Sequence, residues 1–424
     1  MKQLLLLVLA VFLTSMVFAQ NTSNSPYSRF GIGDLQTVQN PRNMAIGGLS
    51  VGLTGARDVS VHNPASYMNL DSLSVHFDIS VQLTLSRLHE QQEDVNVTAN
   101  TNSASLGQIS FAFPITHWWK SCFGLTPNSN MSYNVTTEFS GDPNLGRYYQ
   151  NYNGHGGLNQ VFLGFALGTN RVAVGANVNY HFGSFTRNTL LSFSDTVLRY
   201  PSQTSHSKHI EANGVSFDLG IQYTQPLSSR YQLGFGLRYT PHYALNASRY
   251  IESFSITPGG IGDSILPFAP SESGTLRLPD RYTAGLSFER LGRWVLGAEY
   301  TMVNFKNYRE FSENPNFGQA YTFRVGGELK GRRLDNNFLN RLNYRAGYHY
   351  GSKNYVIFQD EEIKQFGVSF GVGIPIRRSF SRVDIAMEFG RKGRASEGQI
   401  QENYGRIVLG ISAFDQWFIR GKFD

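Results

Sequence analysis

The sequence predicts an all-β protein, a transmembrane antiparallel β-barrel of about 14 strands that encloses an N-terminal hatch. Three observations support this prediction. Residues 74–86 alternate without a break between polar and apolar side chains, which gives one long strand an apolar face and a polar face. Strand-like segments then recur to the C-terminus, and the connections between them alternate between long and short. A leader typical of exported proteins precedes them all.

The leader occupies residues 1–19. Lys2 supplies the charged start, residues 4–13 form an apolar run, and Ala19 provides a small residue before the predicted cleavage site. The alternative is a membrane-anchor helix, but the run is shorter than the roughly 20 residues that a spanning helix needs. No other segment is long and apolar enough to span as a helix. Membrane insertion would therefore require a closed barrel, because only helices and barrels satisfy every backbone group in lipid.

Composition narrows the function classes. The 424 residues are 41% hydrophobic and 13% aromatic, with 43 glycines and only 16% charged residues, which suits a membrane barrel. The net charge of +6 is small and dispersed, so we expect no nucleic-acid partner. Cys122 is the only cysteine, which excludes an intramolecular disulfide and a cysteine-based zinc site. We expect no cofactor and no metal.

Fourteen segments have strand character, an even number as in single-chain bacterial barrels. They lie near residues 72–88, 104–116, 119–136, 159–169, 171–183, 211–226, 230–243, 276–290, 293–305, 319–330, 340–351, 364–376, 381–391 and 404–416. The predicted organisation is a signal peptide at 1–19, a hatch at 20–71 and a barrel at 72–424. Short periplasmic turns and long outer loops are typical of outer-membrane barrels, so the predicted location is the outer membrane of a Gram-negative cell.

All four tryptophans fall at the ends of strands that short turns connect. They are Trp118, Trp119, Trp294 and Trp417. Tryptophan prefers the headgroup layer of a membrane, which predicts an aromatic girdle at one interface, in contact with outer-membrane lipids. The alternative is a chance agreement among four residues.

The segment before the barrel is rich in glycine and proline and does not alternate. Residues 41–48, which end in Gly47 and Gly48, are followed by Asn63 and Pro64 at the start of Asn-Pro-Ala-Ser. This order resembles the FadL family of outer-membrane transporters of hydrophobic compounds, in which a hatch carries an MGG and NPA pattern. The chain has Ser66 where the family usually has glycine. Further short matches lie at 278–279, 285–288, 294–300 and 345–350. The resemblance implies a hatch on the ligand path.

The third strand contains a break. Gly124, Pro127 and Asn128 interrupt an otherwise apolar segment, and a proline in mid-strand is normally confined to bulges or edges. Irregular backbone is tolerated in lipid only where protein or a water-filled cavity covers it. We therefore predict a kink with a side opening against the hatch, near Asn63 and Pro64. The FadL resemblance agrees, since that family has a kinked third strand through which the ligand leaves. The alternative places Pro127 above the membrane, with no role in transport.

These observations predict a porin-like channel for passive uptake of a hydrophobic or amphipathic small molecule, with lateral exit through the wall. The alternative is a structural or shuttle subunit of an outer-membrane protein secretion or assembly machine, a role that FadL-like barrels also serve. An enzyme is the third reading. Residues 48–52 match the G-x-S-x-G pattern of hydrolases, but no strand–turn–helix context surrounds them, so we expect no catalytic residues.

Overall fold

The computed structural model describes a single continuous barrel wall and the segment that precedes it. The described residues are 25–36, 40–55, 57, 59–92, 95–142, 146–169, 171–193, 203–257, 260–264, 271–315, 317–358, 361–376, 379–395 and 399–417. The predicted signal peptide at 1–19 lies outside them.

The wall is a closed antiparallel barrel of 14 strands, as the alternation predicted. In chain order they are β1 (Ser74–Gln92), β2 (Val95–Pro114), β3 (Trp119–Pro127, continued by Ser129–Asp142), β4 (Gly146–Gly168), β5 (Val172–Phe193), β6 (Gln203–Pro226), β7 (Tyr231–Thr240, continued by Tyr243–Thr257), β8 (Glu272–Leu278, continued by Asp280–Arg290), β9 (Trp294–Asn304), β10 (Gln319–Leu329), β11 (Asn343–Phe358), β12 (Glu361–Pro375), β13 (Arg382–Lys392) and β14 (Ile400–Gln416).

The first and last strands pair to close the ring. The β1–β14 ladder runs without a shift from Ser74 opposite Gln416 to Glu90 opposite Ile400. Along β1, the apolar side chains of Leu83 and Leu85 are exposed on the outer face, whereas Gln82 and Thr84 are buried on the inner face. This is the reverse of a soluble protein, and it is the arrangement expected of a wall that faces lipid.

Most of the predicted long loops are continuations of the strands. The predicted loop at 137–158 is largely the end of β3 and the start of β4, and the predicted loop at 89–103 is the hairpin of β1 and β2. Both faces of these extensions are rich in Thr, Asn, Ser and Tyr. The apolar–polar alternation therefore ends where strand pairing continues, and an alternation signal cannot detect the extensions.

The few helices are short. They are α1 (Pro41–Ala45), α2 (Phe338–Arg341) and the 3₁₀ turns Pro26–Arg29, Pro64–Asn69 and Phe305–Asn307, and the minor strand pieces are Asp34–Leu35, Gly260–Ser264 and Arg309–Glu310. Among the described residues, no helix has the length and apolar character to cross a membrane. Residues 25–70, which we call the N-terminal segment, pack against inward-facing side chains of the barrel, and much of this segment is buried.

Candidate functional site

The ladder between β2 and β3 is short. It extends from Pro114 opposite Lys120 only as far as Ile109 opposite Leu125. On its other side β3 pairs with β4 along both of its parts, whereas residues Val95 to Leu106 of β2 pair only with β1 in the described part of the chain. Two neighbouring strands therefore diverge, at the position where the sequence predicted a kink.

Three residues account for the local geometry of the kink. A side chain at Gly124 would place its Cβ 2.9 Å from the Phe162 ring, so only glycine fits there. Pro127 ends the first part of β3, and Ser129 begins the second part. Asn128 uses its backbone across the break, because its N–H donates to the Leu158 carbonyl at 2.8 Å and its carbonyl accepts from the Gln36 N–H at 2.9 Å.

The N-terminal segment takes the place of β2 at this edge. Asp34 and Leu35 pair with Asn130 and Ser129 of β3. Further along, the Ser25 N–H donates to the Ser132 carbonyl at 2.9 Å. The N-terminal segment therefore supplies backbone partners to residues 128–132 of β3, directly beyond the break. Pro64 begins the 3₁₀ turn Pro64–Asn69, which contacts β3, β4, β5 and β6, and His62, next to Asn63, lines the same cavity as Pro127 and Asn128.

The two glycines of the resemblance mark a close approach to the wall. Gly47 has a φ of 76° and Gly48 a φ of 88°, a left-handed conformation that favours glycine. A Cβ at Gly47 would lie 2.7 Å from the Val325 carbonyl oxygen. The Gly47 N–H donates to Ser369 Oγ at 3.0 Å. These contacts fix the turn after α1 against β10 and β12.

Asn63 and Pro64 fix the next part of the segment. Asn63 is fully buried, and its side chain accepts from the Ala65 N–H at 3.2 Å and donates to the Val51 carbonyl at 2.9 Å. A Cβ at Gly220 of β6 would approach Pro64 Cδ to 2.9 Å. The proline ring thus packs directly against the backbone of the wall, which explains the glycine in the strand.

A carboxylate of β9 holds the intervening turn. Glu299 Oε2 accepts from the backbone N–H groups of Ser50 at 2.9 Å and Val51 at 2.8 Å, and from Ser50 Oγ at 3.3 Å. Ser50, the serine of the G-x-S-x-G match, therefore serves as a contact between the segment and the wall.

Buried charges connect the N-terminal segment to three strands. Arg42 Nη2 lies 2.7 Å from Glu328 Oε2, and Arg345 donates from Nε to Glu328 Oε1 at 2.8 Å and from Nη1 to Asp384 Oδ1 at 2.6 Å. Arg382 Nε completes the set at 2.6 Å from Asp384 Oδ2. We call these five residues the luminal ion-pair network. The sequence did not predict this network; charged residues at inward positions of apolar strands indicate buried charges but not which residues pair.

A small cavity adjoins the break in β3. It lies beside Pro127 and Asn128, has a volume of ≈ 50 Å³ and includes Asp218, Arg238 and Arg281. It has room for one or two water molecules, because each occupies about 30 Å³ of liquid. The described residues include no group of His, Cys, Asp and Glu that could hold a metal ion.

A cluster of ion pairs lies at the end of the barrel that carries the long connections. Glu310, between β9 and β10, accepts from Arg187 Nη1 at 2.9 Å and from Lys208 Nζ at 2.6 Å. Burial alone would raise the pKa of Glu310, but the two cations outweigh it and lower the pKa to about 2. Glu310 is therefore ionised at neutral pH.

The tryptophans all lie at the end of the barrel that carries the short turns, which we call the short-turn end. Trp118 and Trp417 are each 47% exposed. Trp119 starts β3 and Trp294 starts β9, and their rings contact Phe165 and Phe288. Aromatic pairs thus lie at this end of the barrel beside β3 and β9.

Solved structures of similar fold are FadL-like barrels. A Pseudomonas aeruginosa FadL homologue aligns with a TM-score of 0.59 and 13% identity over 91% of this chain and 100% of its own. The Pseudomonas putida toluene transporter TodX aligns with a TM-score of 0.60 and 16% identity, over 91% and 100%. The monoaromatic hydrocarbon channel CymD gives 0.56 and 14%, over 92% and 100%. These neighbours are transporters and channels, and at such identities they establish the FadL-like fold alone.

By sequence, the chain matches a different family from that of its structural neighbours. No curated protein matches the sequence. The model of one protein family, BamG, matches residues 1–424, and this family differs from that of the transporters. The chain is therefore a member of the BamG family with a FadL-like barrel fold.

Proposed function

We propose that this protein is a structural or shuttle subunit of an outer-membrane protein secretion or assembly machine. The observation that carries the proposal is the interior of the barrel. The luminal ion-pair network holds the N-terminal segment against β10, β11 and β13, and the cavity inside the barrel beside Pro127 and Asn128 has a volume of only ≈ 50 Å³.

Energetics favour a permanently filled interior. Moving the segment would separate Arg42 from Glu328, whose side chains are 5% and 2% exposed. Breaking a buried ion pair costs about 3–5 kcal/mol. An apolar ligand gains about 0.8 kcal/mol for each buried CH₂ group, so roughly four to six such groups are needed merely to offset that cost. A rigid barrel that presents surfaces to other proteins has no such cost to meet.

The strand extensions provide those surfaces. β4, β5 and β6 are long paired strands that form a continuous sheet. They extend the wall at the end opposite the short turns. A stable interface buries about 800 Å² on each partner, which a broad polar sheet can supply. Membership of BamG, a family distinct from the transporters, also supports this role.

Mild detergent extraction of a tagged chain, followed by mass spectrometry, tests the proposal. We expect partners in fixed stoichiometry, with cross-links to photoreactive residues placed in the β5–β6 hairpin. An unrelated barrel of similar abundance, tagged in the same way, is the control. A monomer that carries a bound apolar molecule and no partner would contradict the proposal.

The second candidate is passive uptake of a hydrophobic or amphipathic molecule with lateral exit. The short ladder between β2 and β3 favours it, together with the shared fold of the toluene transporters. The test replaces Pro127 with Val and Asn128 with Thr, which should extend the ladder and reduce entry of a fluorescent hydrophobic probe. Pro114→Val, at the paired end of the same ladder, is the matched control. Equal probe entry in both variants would remove this candidate.

Both functions require the same location. We propose that residues 1–19 direct export, that the N-terminal segment acts as a hatch, and that the short-turn end faces the periplasm with its tryptophans in the inner headgroup layer. Fractionation should recover the protein in the outer membrane, and its unboiled form should migrate faster than its boiled form. Recovery as a soluble periplasmic protein would contradict the location.

A further inference from the structure

A basic pocket lies at the short-turn end of the barrel. Its volume is ≈ 340 Å³, and Arg42, Arg57, Lys330, Arg333 and Arg382 contribute its cationic groups. Sites that hold a small ligand or a few side chains of a partner have volumes of about 300–1,000 Å³. We call this cavity the basic pocket.

The centre of the basic pocket is an aromatic ring between two guanidinium groups. The Cζ atom of Arg57 lies 3.5 Å from the Phe380 ring centre, and that of Arg333 lies 4.5 Å from it. Two cations are therefore fixed on one side chain that is itself 43% exposed. Cation–π contacts orient the guanidinium groups without neutralising their charge.

The backbone of Arg57 is adapted to this position. Its φ of 66° is left-handed, which costs a non-glycine residue roughly 1–2 kcal/mol. The Arg57 N–H donates to the Asn69 carbonyl at 2.9 Å and thereby holds the turn. Strain of this kind persists where surrounding contacts fix it, and it is common at binding sites.

The charges around the basic pocket do not cancel. Arg57 is paired with Asp71 at 2.7 Å and Lys330 with Glu289. The luminal ion-pair network, which forms the inner wall, contains three arginines and two carboxylates. Arg333 donates to the Ser379 carbonyl and has no carboxylate partner among the residues that the structure describes. Cationic side chains therefore outnumber carboxylates among the described residues that line the basic pocket.

Arg333 lies close to other positively charged side chains. Partial burial lowers the pKa of Arg333, and the positive charges of Arg57 and Arg382 lower it further. An anion placed between these groups would relieve the repulsion. The groups line a cavity that also includes the inward-facing Phe414 of β14, so they lie on the inner side of the wall.

We propose that the basic pocket binds an acidic segment of a periplasmic partner protein, whose carboxylate side chains meet Arg57 and Arg333. The inference rests on the proposed function, for which it names one contact surface. Carboxylates bind guanidinium groups through short, charge-assisted hydrogen bonds, and exposed charges of this kind set partner choice and encounter rate.

The test measures binding of a fluorescein-labelled peptide rich in Asp and Glu to the purified full chain in lipid nanodiscs, by fluorescence anisotropy at low salt. We expect Arg333→Gln to weaken binding roughly threefold to fivefold, as for loss of one exposed ion pair. Arg333→Glu should weaken it more. Arg171→Gln, which changes an exposed arginine of another short turn, should leave binding unchanged and is the matched control.

The outcomes separate this inference from the proposed function. Absence of peptide binding to the unmodified chain would overturn it, as would equal losses in Arg333→Gln and Arg171→Gln, which would indicate general attraction to a basic protein. Partners that still co-purify with the Arg333→Glu variant in full yield would also contradict it, while leaving the proposed function intact.

Discussion

Replacing Arg345 should destabilise the barrel far more than replacing an exposed arginine. The Arg345 side chain has no exposed surface, and it bridges Glu328 and Asp384, which are 2% and 0% exposed. In Arg345→Met both carboxylates remain buried and each loses one partner. Removal of one member of a buried ion pair costs about 3–5 kcal/mol, so we expect at least that loss in the free energy of unfolding.

Urea titration of the barrel in lipid vesicles, followed by tryptophan fluorescence, measures this loss. Arg147→Met is the matched control, because Arg147 Nε lies 3.0 Å from Glu138 Oε1 but the two side chains are 60% and 47% exposed. An exposed pair contributes at most about 1 kcal/mol. Equal unfolding free energies for the two variants would refute the view that buried charges fix the N-terminal segment.

Three further predictions follow from local geometry. Gly47→Ala and Gly292→Ala both place a side chain at positive φ, but only the first meets a carbonyl oxygen, at 2.7 Å; limited proteolysis should therefore show release of the N-terminal segment in Gly47→Ala alone. The pKa of Glu310 is lowered to about 2, so the stability that its ionised carboxylate contributes is complete above its unfolded pKa of about 4.5 and is lost as pH falls toward 2. Limited proteolysis across this pH range should show increasing cleavage of the connection between β9 and β10. Glu310→Gln should remove the pH dependence. Brominated lipids labelled near the headgroup should quench the tryptophans, whereas quenching by aqueous iodide alone would contradict a girdle.

The sequence predicts those features that depend on neighbouring residues. Alternation is a local property, so all 14 strands could be located from it. The break at Pro127 was also predictable, because a proline removes a donor whatever surrounds it. The strand extensions were not, since both their faces are polar and strand pairing leaves no period in the sequence.

Contacts between distant residues were beyond sequence reasoning. The luminal ion-pair network joins Arg42 to a carboxylate 286 positions away, and the Ser25 hydroxyl donates to Glu402 across 377 positions. Such pairs depend on the radius of the barrel and on the direction of each inward side chain. The Arg57–Phe380–Arg333 stack could not be predicted from the sequence for the same reason, because its members come from three separate turns.

The position of the N-terminal segment constrains the order in which the protein can fold. Its partners, Glu328, Ser369 and Glu402, lie in the last third of the chain, while the ring closes only when β1 meets β14. A loop threaded through an already closed ring would have to pass buried charges. We therefore expect the strands to assemble around the segment, with closure as a late event. We also expect slow folding, because the contacts that join the segment to the wall include separations of 104, 286 and 377 residues.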